Sequence, residues 1–188
     1  GLPRLRAMDP QELTVKAAMS GFLPFGNVDG KVLPAQLVEV FDRGEQAPVP
    51  LLAGFNDGEI RSLRFLLPPK PADAATYEAA IRAAYGDLAE AMLQRYPATD
   101  LDAAMLATTR DALYGWTAER LVRKQAELGL PSYLYYFNHG YPAASDAGLH
   151  AFHAAELPYV FASHDRTPPL WPKAPDSDGE RALTAAMS

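Results

Sequence analysis

Hydrophobic and polar positions along the chain predict two short strands among longer helices. Residues 49–55 form a continuous apolar run that ends at Asn56-Asp57-Gly58, a pattern typical of a strand buried on both faces. A second strand is predicted for the aromatic-rich run 132–137, which ends at a glycine-containing turn. Two such strands separated by helices indicate an α/β chain with parallel strands.

Elsewhere, apolar residues recur at helical spacing. The predicted helices cover residues 9–19, 34–43, 74–96, 100–128, 156–161 and 179–188. Asp9 is the expected N-cap of the first, with Pro10 at its first position. Gly86 is expected to break the alanine-rich helix, and Gly129 to end the longest one.

Composition narrows the class of protein. The net charge of −6, with scattered lysines and arginines, argues against a nucleic-acid surface. No apolar run has the roughly 18 residues that a membrane span needs. The absence of cysteine excludes a disulfide framework, a thiolate nucleophile and cysteine-ligated zinc, and it favours a reducing compartment such as the cytoplasm. Localisation nevertheless stays open, because a signal would precede any missing N-terminal half.

An ionisable side chain follows each predicted strand. Glu59 comes just after the first strand, and His153 lies in the segment beyond the second. There a carboxylate can orient an imidazole, which can take a proton from a hydroxyl nucleophile. Taken alone, Glu59 also fits a solvated turn and His153 a structural histidine. A metal site of His150 and His153 lacks a clear third ligand.

Three motifs resemble the type B carboxylesterase family, which includes cholinesterases and para-nitrobenzyl esterases. They are Gly54-Phe-Asn-Asp-Gly-Glu59, Tyr133-Leu-Tyr-Tyr-Phe137 and His153-Ala-Ala-Glu-Leu-Pro-Tyr-Val-Phe161, and their order and spacing match over nearly the whole chain. The resemblance implies the C-terminal part of an α/β-hydrolase fold, with few parallel strands and several packed helices. Residues 1–188 would then be a portion of a single carboxylesterase-type domain, incomplete at both ends.

The resemblance also assigns roles to individual residues. It makes Glu59 the triad acid, His153 the general base and Glu156 a supporting carboxylate. The family has an acidic residue before the catalytic glutamate and a glycine after it, where this chain has Gly58 and Ile60. This departure concerns the local geometry of the acid loop.

Other residues are candidates for the substrate-binding gorge or for the surface. Phe22, Pro24 and Phe25 correspond to positions that line the acyl side of the family's gorge, although plain core packing explains them equally well. His139 and His164 are expected at the surface.

The nucleophile is missing from the sequence. The family's serine lies in an upstream Gly-Glu-Ser-Ala-Gly elbow, and no serine here has glycines two residues before and after it. We therefore expect ester hydrolysis by a Ser-Glu-His triad in a longer enzyme, without a metal or organic cofactor, and inactivity of this piece alone. The expected partners are a small-molecule ester, the missing N-terminal half and a second copy joined through an exposed sheet edge. The alternative is a non-catalytic cholinesterase-like binding or adhesion domain.

Overall fold

The computed structural model describes residues 1–22 and 25–188 and divides the chain into two compact units, Gly1–Gln46 and Ala47–Ser188. The prediction that residues 1–188 belong to one larger domain stays a prediction.

The first unit contains three helices: α1 (Leu2–Arg6), α2 (Pro10–Met19) and α3 (Leu37–Asp42). Helix α2 begins as predicted, because the Asp9 side chain accepts a hydrogen bond from the Glu12 backbone N–H at 3.0 Å. Helix α3 is shorter than predicted, since a capping box of Gln36 and Glu39 starts it. No residue of these three helices is buried.

The second unit is built on a parallel pair of strands. Strand β1 (Leu51–Asn56) pairs with β2 (Ser132–Phe137) in an unbroken register that places Asn56 opposite Phe137. The bounds predicted for β2 are confirmed, and β1 lies within one or two residues of its prediction. Because a parallel pair needs a long crossover, the chain between the strands is helical. The crossover contains α4 (Ala74–Tyr85), α5 (Ala89–Arg95), α6 (Leu101–Arg110) and α7 (Trp116–Glu127).

The crossover confirms one helix prediction and corrects another. A 3₁₀ turn at Gly86–Leu88 separates α4 from α5, so the break predicted at Gly86 is confirmed. The single helix predicted over residues 100–128 is wrong in one respect, because a π-helical turn, Asp111–Gly115, interrupts it. This turn shifts the phase of the apolar positions that follow it, but the surrounding alanines, which occupy buried and exposed positions alike, hide the shift in the sequence.

The prediction that β1 is buried on both faces is also wrong for the described residues. Helix α7 packs against both strands, and Gly115 lies close enough to Phe55 that a Cβ there would be 3.3 Å from the ring. On the opposite face, the register partners Leu52 and Tyr133 are 67% and 62% exposed. This face is therefore open at the amino ends of the strands, whereas at their carboxyl ends Asn56 and Phe137 are buried.

The main core lies beyond the carboxyl end of β2. It is made by Phe137, Tyr141, Ala144, Ala151, Phe152, Ala155 and Tyr159. Helices α8 (Pro142–Asp146), α9 (Leu157–Val160) and α10 (Asp178–Met187) belong to this region. In the described part of the chain, no helix is long and apolar enough to cross a membrane.

The surface position predicted for His164 is wrong. Its ring is buried and stacks on Tyr159, with centroids 6.1 Å apart, while Nδ1 lies 2.7 Å from Thr184 Oγ1. His139 is half-exposed and reaches the buried Glu180 at 3.0 Å. The docking of α10 against α9 brings these side chains together.

Tyr159 should make folding stability sensitive to alkaline pH. Its hydroxyl donates to Glu180 Oε2 at 2.5 Å, and burial, followed by this hydrogen bond, raises the pKa of the phenol. Unfolded tyrosine ionises near pH 10, so the stabilisation is present below about pH 10 and is lost as the pH rises above it. Chemical unfolding measured from about pH 8 to 11 should show a steeper alkaline loss of stability than in Tyr159→Phe. The exposed Tyr133→Phe should keep the wild-type slope, and equal slopes in all three proteins would contradict the prediction.

Candidate active site

Glu59 is a buried carboxylate at the carboxyl end of β1. It opens a 3₁₀ turn, Glu59–Arg61, and is only 5% exposed. The Asn56 backbone N–H donates to its Oε1 at 2.9 Å. Because an unpaired buried carboxylate is costly, this hydrogen bond both stabilises the group and fixes its orientation.

The acid loop and the histidine segment meet through their backbones. Gly58 forms a parallel bridge with Phe152, and its N–H donates to the Ala151 carbonyl oxygen at 2.8 Å. A Cβ on Gly58 would lie 2.6 Å from the Leu149 carbonyl oxygen, closer than side-chain carbons come. Gly58, where the family pattern has an acidic residue, therefore permits this close approach.

His153 faces Glu59 across this junction. Its Nδ1 lies 2.5 Å from Glu59 Oε2. A carboxylate accepts, so the imidazole donates from Nδ1, which leaves Nε2 as the basic nitrogen. The His153 side chain is 45% exposed and that of Glu59 only 6%, so the pair joins a buried acid to an accessible base.

Glu156 is connected to the Glu59 and His153 pair through Asn56. The Asn56 side-chain amide donates to Glu156 Oε2 at 2.5 Å and to the Phe152 carbonyl oxygen at 2.9 Å. Asn56 thus bonds to Glu59 through its backbone and to the histidine segment through its side chain. The sequence does not predict this role, because Asn56-Asp57-Gly58 has the pattern of a turn; the position of Asn56 directly after an apolar run is the available signal.

Tyr114 is a second residue that the sequence did not reveal. The π-helical turn places its ring beside that of His153, with centroids 5.5 Å apart and planes inclined by 49°. Burial raises the pKa of the Tyr114 hydroxyl, and the negative charge of Glu59 raises it further. Tyr114 is therefore a neutral, partly buried aromatic wall for the histidine.

Of the other candidate residues, the structure describes Phe22, Phe25 and His150. Phe22 and Phe25 belong to the first unit, where both are exposed, and their role in substrate binding stays a prediction. Pro24 lies outside the described residues. His150 is exposed, with a φ of 51°. Within residues 1–22 and 25–188, no group of three or more His, Asp or Glu side chains could hold a metal ion.

Comparison with known proteins supports the expected family. The model of the carboxylesterase family matches residues 4–188. A fumonisin B1 esterase from Sphingopyxis macrogoltabida is 33% identical over 144 residues, which is 74% of this chain and 26% of that protein.

Solved structures show the same fold. The Geobacillus stearothermophilus carboxylesterase EST55 superposes with a TM-score of 0.73 at 24% identity, covering 98% of this chain and 39% of that one. A PNB esterase superposes with a TM-score of 0.62 at 22% identity, covering 99% and 39%. The chain thus spans about a quarter to two fifths of the length of these relatives. The predicted α/β-hydrolase class is confirmed, and the chain belongs to the carboxylesterase family.

Proposed function

We propose that this chain supplies the acid and the base of a serine carboxylesterase whose nucleophile lies in another part of a longer protein. The observation that carries the proposal is the 2.5 Å contact between His153 Nδ1 and Glu59 Oε2. Family membership supports ester hydrolysis in general. The contact supports the more specific assignment of Glu59 as the acid and His153 as the base.

The geometry suits a proton relay. In the proposed reaction a serine hydroxyl attacks the ester carbonyl while His153 Nε2 takes the hydroxyl proton. Glu59 holds the imidazole orientation through Nδ1 and stabilises the imidazolium that forms. His153 then returns the proton to the leaving alcohol. Water repeats the cycle on the acyl-enzyme, releasing the acid and restoring the serine.

The proposed substrate is a small-molecule carboxylic ester. The name of the curated relative makes fumonisin B1 one ester to assay beside simple aryl esters. Phe22 and Phe25 remain candidates for the acyl side of the site.

The proposed partner is the remaining N-terminal portion of the same enzyme. Relatives are considerably longer than this chain, and the sequence here has no Gly-x-Ser-x-Gly elbow. A non-catalytic binding domain is the second candidate. The buried, hydrogen-bonded carboxylate beside an exposed imidazole favours the enzyme, because a binding domain has no need to maintain such a costly arrangement.

Matched histidine variants test the enzyme proposal. In the longer protein, His153→Asn should lower kcat for para-nitrophenyl acetate by about 10⁴-fold or more, because the general base is lost. The same substitution at the exposed His150 should have little effect, since asparagine tolerates a positive φ. The 188-residue chain alone should hydrolyse the ester no faster than its own His153→Asn variant. Equal kcat in the two full-length variants would overturn the assignment of the base, and activity of the short chain that depends on His153 would overturn the missing nucleophile.

The exposed apolar residues at the amino ends of the two strands should make the isolated chain self-associate. Leu52 and Tyr133 are exposed beside each other on a two-stranded sheet, whose outer edges can pair with another chain. Size-exclusion chromatography with light scattering should therefore give a mass above that of the 20.4 kDa monomer. Replacing both residues with lysine should shift the population towards monomer, whereas a wild-type monomer at every concentration would contradict this expectation.

A further inference from the structure

A charged cluster beside the acid loop is centred on Arg110, the last residue of α6. Arg110 Nη1 donates to Asp57 Oδ1 at 2.7 Å and to the Asp57 backbone carbonyl oxygen at 3.3 Å. Asp57 lies two residues before Glu59, in the loop that holds the carboxylate. One side of the guanidinium is therefore bonded to the acid loop.

The other side of Arg110 is bonded to the π-helical turn. Nε donates to Asp111 Oδ1 at 2.7 Å and Nη2 donates to Asp111 Oδ2 at 3.1 Å, which makes a bidentate ion pair. The Tyr96 hydroxyl donates to the same carboxylate at 2.6 Å. Asp111 opens the turn that carries Tyr114 to the His153 ring.

The surroundings hold Arg110 in this geometry. Its side chain is only 15% exposed, and its guanidinium lies over the rings of Phe55 and Tyr136 at 5.9 and 5.8 Å. Burial acts against the charge, but the hydrogen bonds and charge of Asp111 outweigh it, so the pKa of Arg110 is raised. The Tyr136 hydroxyl also donates to Asp57 Oδ1, which fixes the second carboxylate.

We propose that Arg110 is a positioning residue for the acid and histidine pair. It connects the loop of Glu59 to the turn of Tyr114, and these two elements contact different parts of His153: Glu59 contacts Nδ1, and Tyr114 lies beside the ring. Without Arg110, the carboxylates of Asp57 and Asp111 would lose the cation that they share, so the connection between the loop and the turn would be weakened. The catalytic consequence rests on the proposed function, whereas the structural linkage does not.

A lysine could not replace the arginine fully. Arg110 binds Asp57 and Asp111 together through all three nitrogens of its planar guanidinium group, whereas lysine offers a single ammonium group. Arg110→Lys keeps the positive charge but loses the bidentate geometry with Asp111. It should therefore rescue only part of the effect of Arg110→Met.

The test uses proton NMR of the 188-residue chain, which needs no catalytic activity. The short bond to Glu59 should give the His153 Nδ1 proton a far-downfield resonance that disappears in Glu59→Gln. In Arg110→Met, exchange of this proton with water should become about tenfold faster or more, as expected when a charge-assisted hydrogen-bond network is lost. The nuclear Overhauser contact between Tyr114 and His153 should weaken as well. Arg110→Lys should give intermediate values.

Arg82→Met is the matched control. Arg82 is also paired with two carboxylates, Glu78 and Glu90, each at 3.0 Å, but these belong to α4 and α5 rather than to the acid loop. Its removal should leave the His153 signal unchanged. An unaltered signal in Arg110→Met would overturn the positioning role while leaving the Glu59 and His153 pair intact.

Other outcomes are also decisive. Absence of the downfield signal from the wild-type chain would overturn the pair itself, and with it both proposals. If Arg110→Met loses its helical circular dichroism, Asp57→Asn decides, because it removes the negative charge from one ion pair of the linkage and leaves Asp111 paired. Faster exchange in Asp57→Asn would support the role, and wild-type exchange would overturn it.

Discussion

The contact between a buried carboxylate and an accessible imidazole is the constraint on which the site depends. Glu59 is held inside the protein at the end of β1, where an unpaired charge would be strongly disfavoured. His153 Nδ1 and the Asn56 backbone N–H each satisfy one of its oxygens. The parallel register of β1 and β2 makes this possible, since it brings the loops after both strands to one edge of the sheet.

Two further sets of contacts support this pair. The first is local: Asn56 bonds to Glu156, and Gly58 permits the backbones of the acid loop and the histidine segment to touch. The second joins α9 to α10, where the buried Glu180 accepts from Tyr159 and pairs with His139. Because α9 begins directly after Glu156, its docking to α10 limits how far the histidine segment can move.

Much of this arrangement could be predicted from the sequence, for identifiable reasons. Strand β2 was located by its aromatic run, helix α2 by its capping aspartate, and the break between α4 and α5 by Gly86, because each signal is local. The order of Glu59 and His153 along the chain, together with the family resemblance, predicted their proximity. The contact at 2.5 Å agrees with it.

The features that the sequence did not predict have one property in common: they depend on tertiary contacts. The phase shift of the π-helical turn that places Tyr114 is hidden by the alanines around it. An asparagine after an apolar run is equally compatible with an exposed turn and with the buried hydrogen bonds that Asn56 makes. His164 was expected at the surface because a single polar residue gives no sign of its neighbours. The apolar run around Leu52 predicts burial, but burial also requires another part of the protein to cover that side chain. In this structure Leu52 is exposed.

The most direct test of the central claim is to label the longer protein with a fluorophosphonate and to map the modified serine by mass spectrometry. The reagent reacts with a serine only when a correctly placed base activates it. Our account predicts one modified serine, in a Gly-x-Ser-x-Gly elbow upstream of Gly1, and loss of labelling in His153→Asn and Glu59→Gln but not in His150→Asn. Labelling of a serine within the 188 residues, or labelling that persists without His153, would contradict it.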